Sequence, residues 1–120
     1  MVPVTEKPVI WEGTSKEDMS AFSEAVRQDA GFALWQVQQG VHPPNSKALA
    51  LVGQGVHEIR ISDGDAYRVI YIAKLPEAVY VLHAFQKKAK SGIATPKPEL
   101  DLAQSRLKTL MQRRKAEGKQ

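Results

Sequence analysis

The spacing of apolar and polar positions changes character along the chain, and each change marks an element. Val9-Ile10-Trp11 is a short apolar run before Gly13 and predicts a first strand. Thr14 or Ser15 caps a helix behind it, with Glu17 and Asp18 in the first turn, where the positive end of the helix dipole favours anions. Met19, Phe22, Val26 and Ala30 recur at helical spacing as one buried stripe. Gly31 is expected to break or bend that helix. A second short helix then runs to Gln39, with Phe32 and Trp35 facing the core together and Gly40 as its stop. His42-Pro43-Pro44-Asn45 cannot continue a helix, so residues 40–55 read as a loop.

From Val56 onward the pattern is that of strands. Val56 to Ile61 and Ala66 to Ala73 flank Ser62-Asp63-Gly64-Asp65, a strong hairpin signal. Lys74 to Glu77 make a second turn, and Val79 to Phe85 is the last strand, rich in β-branched and aromatic residues. Short connections pair the three as an antiparallel meander. Pro96 and Pro98 introduce a final helix over 98–114, with Leu100, Ala103, Leu107, Leu110 and Met111 on its buried face. The expected architecture is α+β: an antiparallel sheet with helices packed on one face, in the order β-α-α-β-β-β-α. It forms one domain over residues 1–120, with flexible ends at 1–7 and 114–120.

Composition narrows the class. At 120 residues, 42% hydrophobic and 25% charged, the chain reads as an ordinary soluble domain, with no apolar run near the roughly 18 residues of a membrane span. There is no basic-then-apolar leader and no cysteine, so the expected setting is the cytoplasm and thiol chemistry is excluded. Residues 1–55 hold four Lys/Arg and six Asp/Glu, whereas residues 56–120 hold thirteen and seven. The strand-rich half is therefore the basic half, and an anionic partner would dock there.

The candidate chemistry lies in that half. Arg60 and Arg68 flank one hairpin, and strand alternation decides whether they share a face. A two- or four-residue loop would pair Ile59 with Arg68 and separate the arginines. A three-residue loop with a bulge at Gly64 would pair Glu58 with Arg68 and bring both to one face. A structural Glu58–Arg68 ion pair is the plainer expectation. His83 is read on the face of Val79, Val81 and Phe85, either as a hydrogen-bonded core residue or as a proton-transfer group ahead of Lys87, Lys88 and Lys90. His42 and His57 show no ligand spacing with His83, so neither metal nor cofactor is expected. No phosphate-binding P-loop, dinucleotide fingerprint or nucleophile elbow is present. Tyr67, Tyr71 and Tyr80 read as packing, and Arg113 to Lys119 as a solubilising tail.

Three runs together resemble the phage-related, HigB-like branch of the RelE/ParE toxin superfamily. They are Gly53 to Ile61 with its Glu58-x-Arg60, then Tyr67-Arg68-Val69-Ile70-Tyr71, then Val81-Leu82-His83-Ala84-Phe85-Gln86-Lys87-Lys88. Ala30-Gly31-Phe32, Val37 to Gly40 and Thr95-Pro96 extend the likeness over about residues 8–110. One departure is the basic loop, Lys87 to Pro96, which is longer than the family's usual Lys-Lys-Thr-Gln-Lys-Thr-Pro and contains Gly92. The resemblance implies a type II toxin that cuts mRNA on the ribosome without a metal or cofactor, the RNA 2′-OH attacking the adjacent phosphate. Arg60 and Arg68 would stabilise charge on phosphorus, His83 or Lys87 and Lys88 would move protons, and Lys90 and Lys97 would hold the backbone. Its implied partner is a helix-turn-helix antitoxin, with no role for a membrane. ParE-like inhibition of DNA gyrase and a non-catalytic phage relic that binds RNA or antitoxin are the alternatives.

Overall fold

In a computed structural model, which describes residues 6–87 and 94–119, five strands and three helices form an α+β domain. In chain order these are β1 (Val9–Trp11), α1 (Ser15–Ser20), α2 (Glu24–Gln38), β2 (Ser46–Ala48), β3 (Val56–Asp63), β4 (Asp65–Ile72), β5 (Val79–Lys87) and α3 (Lys97–Ala116). The sheet order is β1-β5-β4-β3-β2, and the expected β3-β4-β5 meander is its centre.

Two features of the sheet differ from expectation. It is mixed, because β1 runs parallel to β5, with Val9 level with Val79 and Trp11 with Val81. Two helices and two hairpins separate these strands, ample length to return the chain in the same direction. The loop before β3 also contributes a strand: Ser46 pairs with Ile59 and Ala48 with His57, so β2 edges the sheet.

The helices cover both faces, not one. Ile59, Ile61, Val69, Tyr71, Val79 and Val81 pack with Phe22, Val26, Ala30, Leu34 and Val37 of the α1–α2 side. Val56, Ile70, Ile72, Tyr80, Leu82 and Phe85 pack with Ala103 and Leu110 of α3. The reason lies in the strands themselves. Val69 to Ile72 and Val79 to Phe85 are buried at consecutive positions, as strands sandwiched between layers are, whereas a one-sided sheet would alternate.

The helical half divides earlier than Gly31. Ser23 accepts a hydrogen bond from the Val26 amide at 3.4 Å and starts α2, which then runs unbroken through Gly31. A helical glycine costs about 1 kcal/mol against alanine, and the Val26-Ala30-Ala33-Leu34-Val37 face outweighs it by burial. That phase turns Phe32 and Trp35 outward, correcting the expectation that they face the core.

On α3, Met111 is exposed and Arg114 is buried in its place. Arg114 donates from Nε and Nη2 to both Glu77 oxygens, at 2.6 and 3.1 Å, and the Tyr80 hydroxyl donates to the same carboxylate at 2.6 Å. Arg113 reaches both oxygens of Glu12 at 3.0 Å. Residues 114–116, expected to be loose, are thus the anchored last turn of α3. At the other end Lys7 donates to the Leu75 carbonyl at 2.8 Å, tying residues before β1 to the sheet. Among the described residues no helix is long and apolar enough to cross a membrane.

Candidate functional site

On the face covered by α3, cross-strand neighbours form a small grid. One row is Glu58, Ile70, His83; the next is Arg60, Arg68, Phe85; the last runs through Ser62, Ala66 and Lys87. Residues directly opposite in antiparallel strands share a face, so Arg60, Arg68, His83 and Lys87 lie together.

Two register details create the grid. Asp63 pairs with Asp65, leaving Gly64, at φ +79°, as the single residue of the turn. This odd loop unites the arginines as foreseen, but it pairs Arg60 with Arg68 and Glu58 with Ile70, not Glu58 with Arg68. No register shift occurs between β3 and β4. The bulge lies instead between β4 and β5, where Ile70 pairs with His83 and Tyr71 with Val81, so Leu82 is the extra residue. It reverses the alternation of β5. Val79 and Val81 turn to α2, while His83 and Phe85 turn to the arginines, so His83 does not share a face with the two valines.

Glu58, fully buried, organises the charges. Its Oε1 accepts from Arg60 Nε at 2.7 Å and stands 3.7 Å from Arg68 Nε, and its Oε2 accepts from the Thr95 hydroxyl at 2.5 Å. Burial and then Arg60 work against the charge on Arg68, and the Glu58 carboxylate supports it. Two arginines set directly opposite destabilise a sheet unless an anion lies between them, and Glu58 is that anion.

His83 is held from both sides. Its Nε2 is 2.7 Å from Glu99 Oε1 and its Nδ1 is 3.3 Å from Arg106 Nη1. A guanidinium only donates, so Nδ1 is the acceptor and the proton sits on Nε2, pointing at Glu99. Arg106 also donates to the Leu82 carbonyl at 2.9 Å and the Thr14 hydroxyl at 3.0 Å, and the His83 ring stacks on Phe85 with centroids 5.0 Å apart. Thr95, Glu99 and Arg106 are site residues that strand patterns could not reveal, because they arrive with α3 from the far side of the basic loop.

Access is uneven. Arg68, His83 and Lys87 are buried, whereas the Arg60 side chain is 25% exposed. A cavity of about 380 Å3 opens beside Arg60, between α2 and the β3 edge, lined also by Asp29, Phe32, Gln36, Asn45 and Ser62. Lys97 is exposed and pairs with Asp101 at 2.9 Å, one turn along α3. Lys88 and Lys90 lie outside the described residues. His42 and His57 stack at 3.9 Å on the opposite sheet face, where His42 Nδ1 meets the Tyr71 hydroxyl at 2.9 Å. Among the described residues no three potential metal ligands gather.

No curated protein matches the chain. Residues 17–108, which span α1 to the middle of α3 and so every member of the grid, match the family model of phage-derived Gp49-like proteins, a family related to RelE-type toxins. The chain therefore belongs to the phage-derived Gp49-like family.

Proposed function

We propose that this protein is the toxin of a type II toxin–antitoxin pair and an endoribonuclease acting on ribosome-bound mRNA in the cytoplasm. The observation that carries the reading is the Arg60–Arg68 row, flanked by His83 on one side and Lys87 on the other. Two guanidiniums held side by side match the oxygens of a phosphodiester, and a preorganised pair is at its strongest away from bulk water. Glu58 occupies the place of that phosphate in the free protein, so substrate would take over its guanidiniums.

The reaction needs no external nucleophile. The 2′-oxygen attacks phosphorus, the bond to the 5′-oxygen breaks, and a 2′,3′-cyclic phosphate and a 5′-hydroxyl result. The 2′-OH gives up one proton and the leaving oxygen takes one. Arg60 and Arg68 hold the charge that builds on the phosphoryl oxygens. His83, with its Nε2–H on Glu99, is suited to accepting a proton at Nδ1 once Arg106 lets go of it, and Lys87 and Lys88 are the remaining proton-transfer candidates. Lys90 and Lys97 hold the RNA backbone, a salt-dependent contribution. Phosphate enters past Arg60, and the Thr95–Glu58 and Glu99–His83 contacts must part for it to reach Arg68 and His83. An antitoxin, as the toxin family implies, would keep the site shut between uses.

The burial of Arg68 and His83, and the engagement of both His83 nitrogens, favour one other reading, a non-catalytic relic that binds RNA or its antitoxin. Induction of the wild type, Arg60→Ala and His83→Gln in cells, with transcript ends mapped and each fold checked by circular dichroism, separates the two. Nuclease action predicts growth arrest with cuts in translated transcripts, reduced at least about a hundredfold in both variants. Intact transcripts during arrest, or cleavage indifferent to Arg60→Ala, would overturn it.

A further inference from the structure

Past Arg60 the outer edge of β3 is left without a strand partner, and Pro43 is the reason. The β2–β3 register, continued backwards from Ser46 and Ile59, sets Asn45 opposite Arg60 and Pro43 opposite Ser62. Asn45 meets its partner. Its carbonyl accepts from the Arg60 amide at 2.8 Å, and its side-chain amide donates to the Arg60 carbonyl at 3.1 Å. Pro43 cannot do the same for Ser62. It has no N–H to donate, and its carbonyl is taken by the Ser46 amide and hydroxyl, at 3.0 and 2.7 Å. Alternation turns the Ser62 N–H and C=O the same way as those of Arg60, so a backbone donor and acceptor stand at the sheet edge with no strand beside them.

The cavity of about 380 Å3 opens at this point. From α2 it receives Phe32, 61% exposed, whose flat ring is backed by Trp35, stacked on it at 5.9 Å with 21° between planes. Neutral hydrogen-bonding groups stand around that ring: the Gln36 side-chain amide, the Asn45 side-chain oxygen, and Ser62 with its hydroxyl and backbone. The one acid in the lining is Asp29, and its carboxylate has no hydrogen-bond or ion-pair partner among the described residues. An open aromatic face bordered by neutral donors and acceptors suits a nucleobase, which stacks by its face and is read by its edge. A peptide strand fits less well. It needs several successive backbone pairs, and β3 ends at Asp63, one residue past Ser62.

We propose that this cavity seats a guanine base of the RNA, an inference that rests on the arginine row binding phosphate. Arg60 belongs both to that row and to the cavity wall, so a nucleotide whose phosphate meets Arg60 has its base beside Phe32. Asp29 selects the base. Guanine presents N1–H and N2–H2 as two donors side by side, the match for a carboxylate, which only accepts. Adenine, cytosine and uracil each place an acceptor where one of those donors would be, and it would face the Asp29 charge. The guanine O6 needs a donor in turn, and the Gln36 amide or the Ser62 N–H supplies it. The arginine row takes phosphate at any sequence, and the cavity adds the preference for one base.

Titration of the full chain with nucleosides, which requires neither ribosome nor cleavage, tests this. The signals are the NMR shifts of the Ser62 backbone amide and of the Gln36 and Asn45 side-chain amides, with the emission of Trp35 in a Trp11→Phe background. Guanosine should move all of them, and adenosine, cytidine and uridine should bind about tenfold more weakly or worse. Phe32→Ala should weaken guanosine by about five- to a hundredfold, the loss of one stacked base. Asp29→Asn should abolish the preference among nucleosides. Both side chains are exposed, and circular dichroism checks that each variant folds. Equal affinity for all four nucleosides, or guanosine binding indifferent to Phe32→Ala, would overturn the proposal. So would amides that respond to inorganic phosphate and not to guanosine, the mark of an anion site alone. Guanosine 3′- and 5′-monophosphates separate the base site from the phosphate site. Binding tighter than that of guanosine supports both, whereas binding equal to it supports the base site and removes the phosphate from Arg60.

Discussion

Arg60 stands directly across from Arg68 on the neighbouring strand, and both guanidiniums turn to the Glu58 carboxylate, at 2.7 and 3.7 Å. Like charges in that relation would push β3 and β4 apart. A single buried anion reverses the sign. Removing it should therefore be far worse than removing its partly exposed partner Arg60. Glu58→Gln keeps the shape and loses the charge, leaving two arginines uncompensated beneath α3, and should lower stability by about 3–5 kcal/mol. Arg60→Ala, at a partly exposed site, should cost about 1 kcal/mol. Urea denaturation of both variants checks the order, and a Glu58→Gln as stable as wild type would mean that the grid is not held by charge.

The same relationship bears on nucleic acid. If the arginine row takes a phosphate, Arg60 is the member that meets it first, since Arg68 lies buried behind. Binding of a short single-stranded RNA, followed by fluorescence anisotropy over a salt series, should weaken for Arg60→Ala at every sequence tested. The slope of log K against log salt should become shallower by about 0.7, the share of one phosphate contact. An unchanged slope would place the RNA elsewhere on the basic half.

Much of this was open to reading from the chain, and the failures have physical causes. The meander, the turn at Gly64 and the shared face of Arg60 and Arg68 follow from alternation and an odd loop. His83 reached the same face for a different reason, the extra residue at Leu82, and no residue type in Val81-Leu82-His83 announces a bulge. The second helical layer is legible in the strands, because five and seven consecutive buried positions in β4 and β5 leave no face for water. A break at Gly31 would put Phe32 and Trp35 on the wrong side of the helix. Continuing the phase of Val26 and Ala30 through Ala33 and Val37 turns both aromatics outward. Glu99 and Arg106 carry no local signal, since their roles arise from where α3 docks.

Two glycines should respond oppositely to the same substitution. Gly31 lies mid-helix with open space where a Cβ would stand, so Gly31→Ala should stabilise the fold by about 0.5–1 kcal/mol through the unfolded chain. Gly13 has φ +56°, and a Cβ there would meet the Arg106 guanidinium well inside van der Waals contact. Gly13→Ala should therefore destabilise, and should also move the guanidinium that holds His83 Nδ1. Thermal melts order the three proteins, and imidazole NMR shifts of His83 report the second effect. Equal melts for the two alanine variants would refute the contrast.

The far end of α3 offers a pH test. The Arg114 hydrogen bonds hold the Glu77 carboxyl at about 2, well below its ordinary 4.5. A carboxyl whose folded value is depressed stabilises the fold while it is ionised in both states, and that contribution fades as protons bind the unfolded chain first. Stability from this pair is thus complete above about pH 4.5 and is lost as pH falls toward 2. Glu77 acts at the alkaline end as well. Burial, and then the same carboxylate, push the Tyr80 hydroxyl up to about 12 from 10, so its contribution is complete below 10 and disappears as pH rises through 12. Denaturation midpoints measured from pH 2 to 7 should fall steeply below 4.5 in the wild type. In Glu77→Gln they should start lower and vary less over that window, since the variant has no charge to lose there. Parallel curves for the two proteins would show that the Glu77–Arg114 pair does not anchor α3.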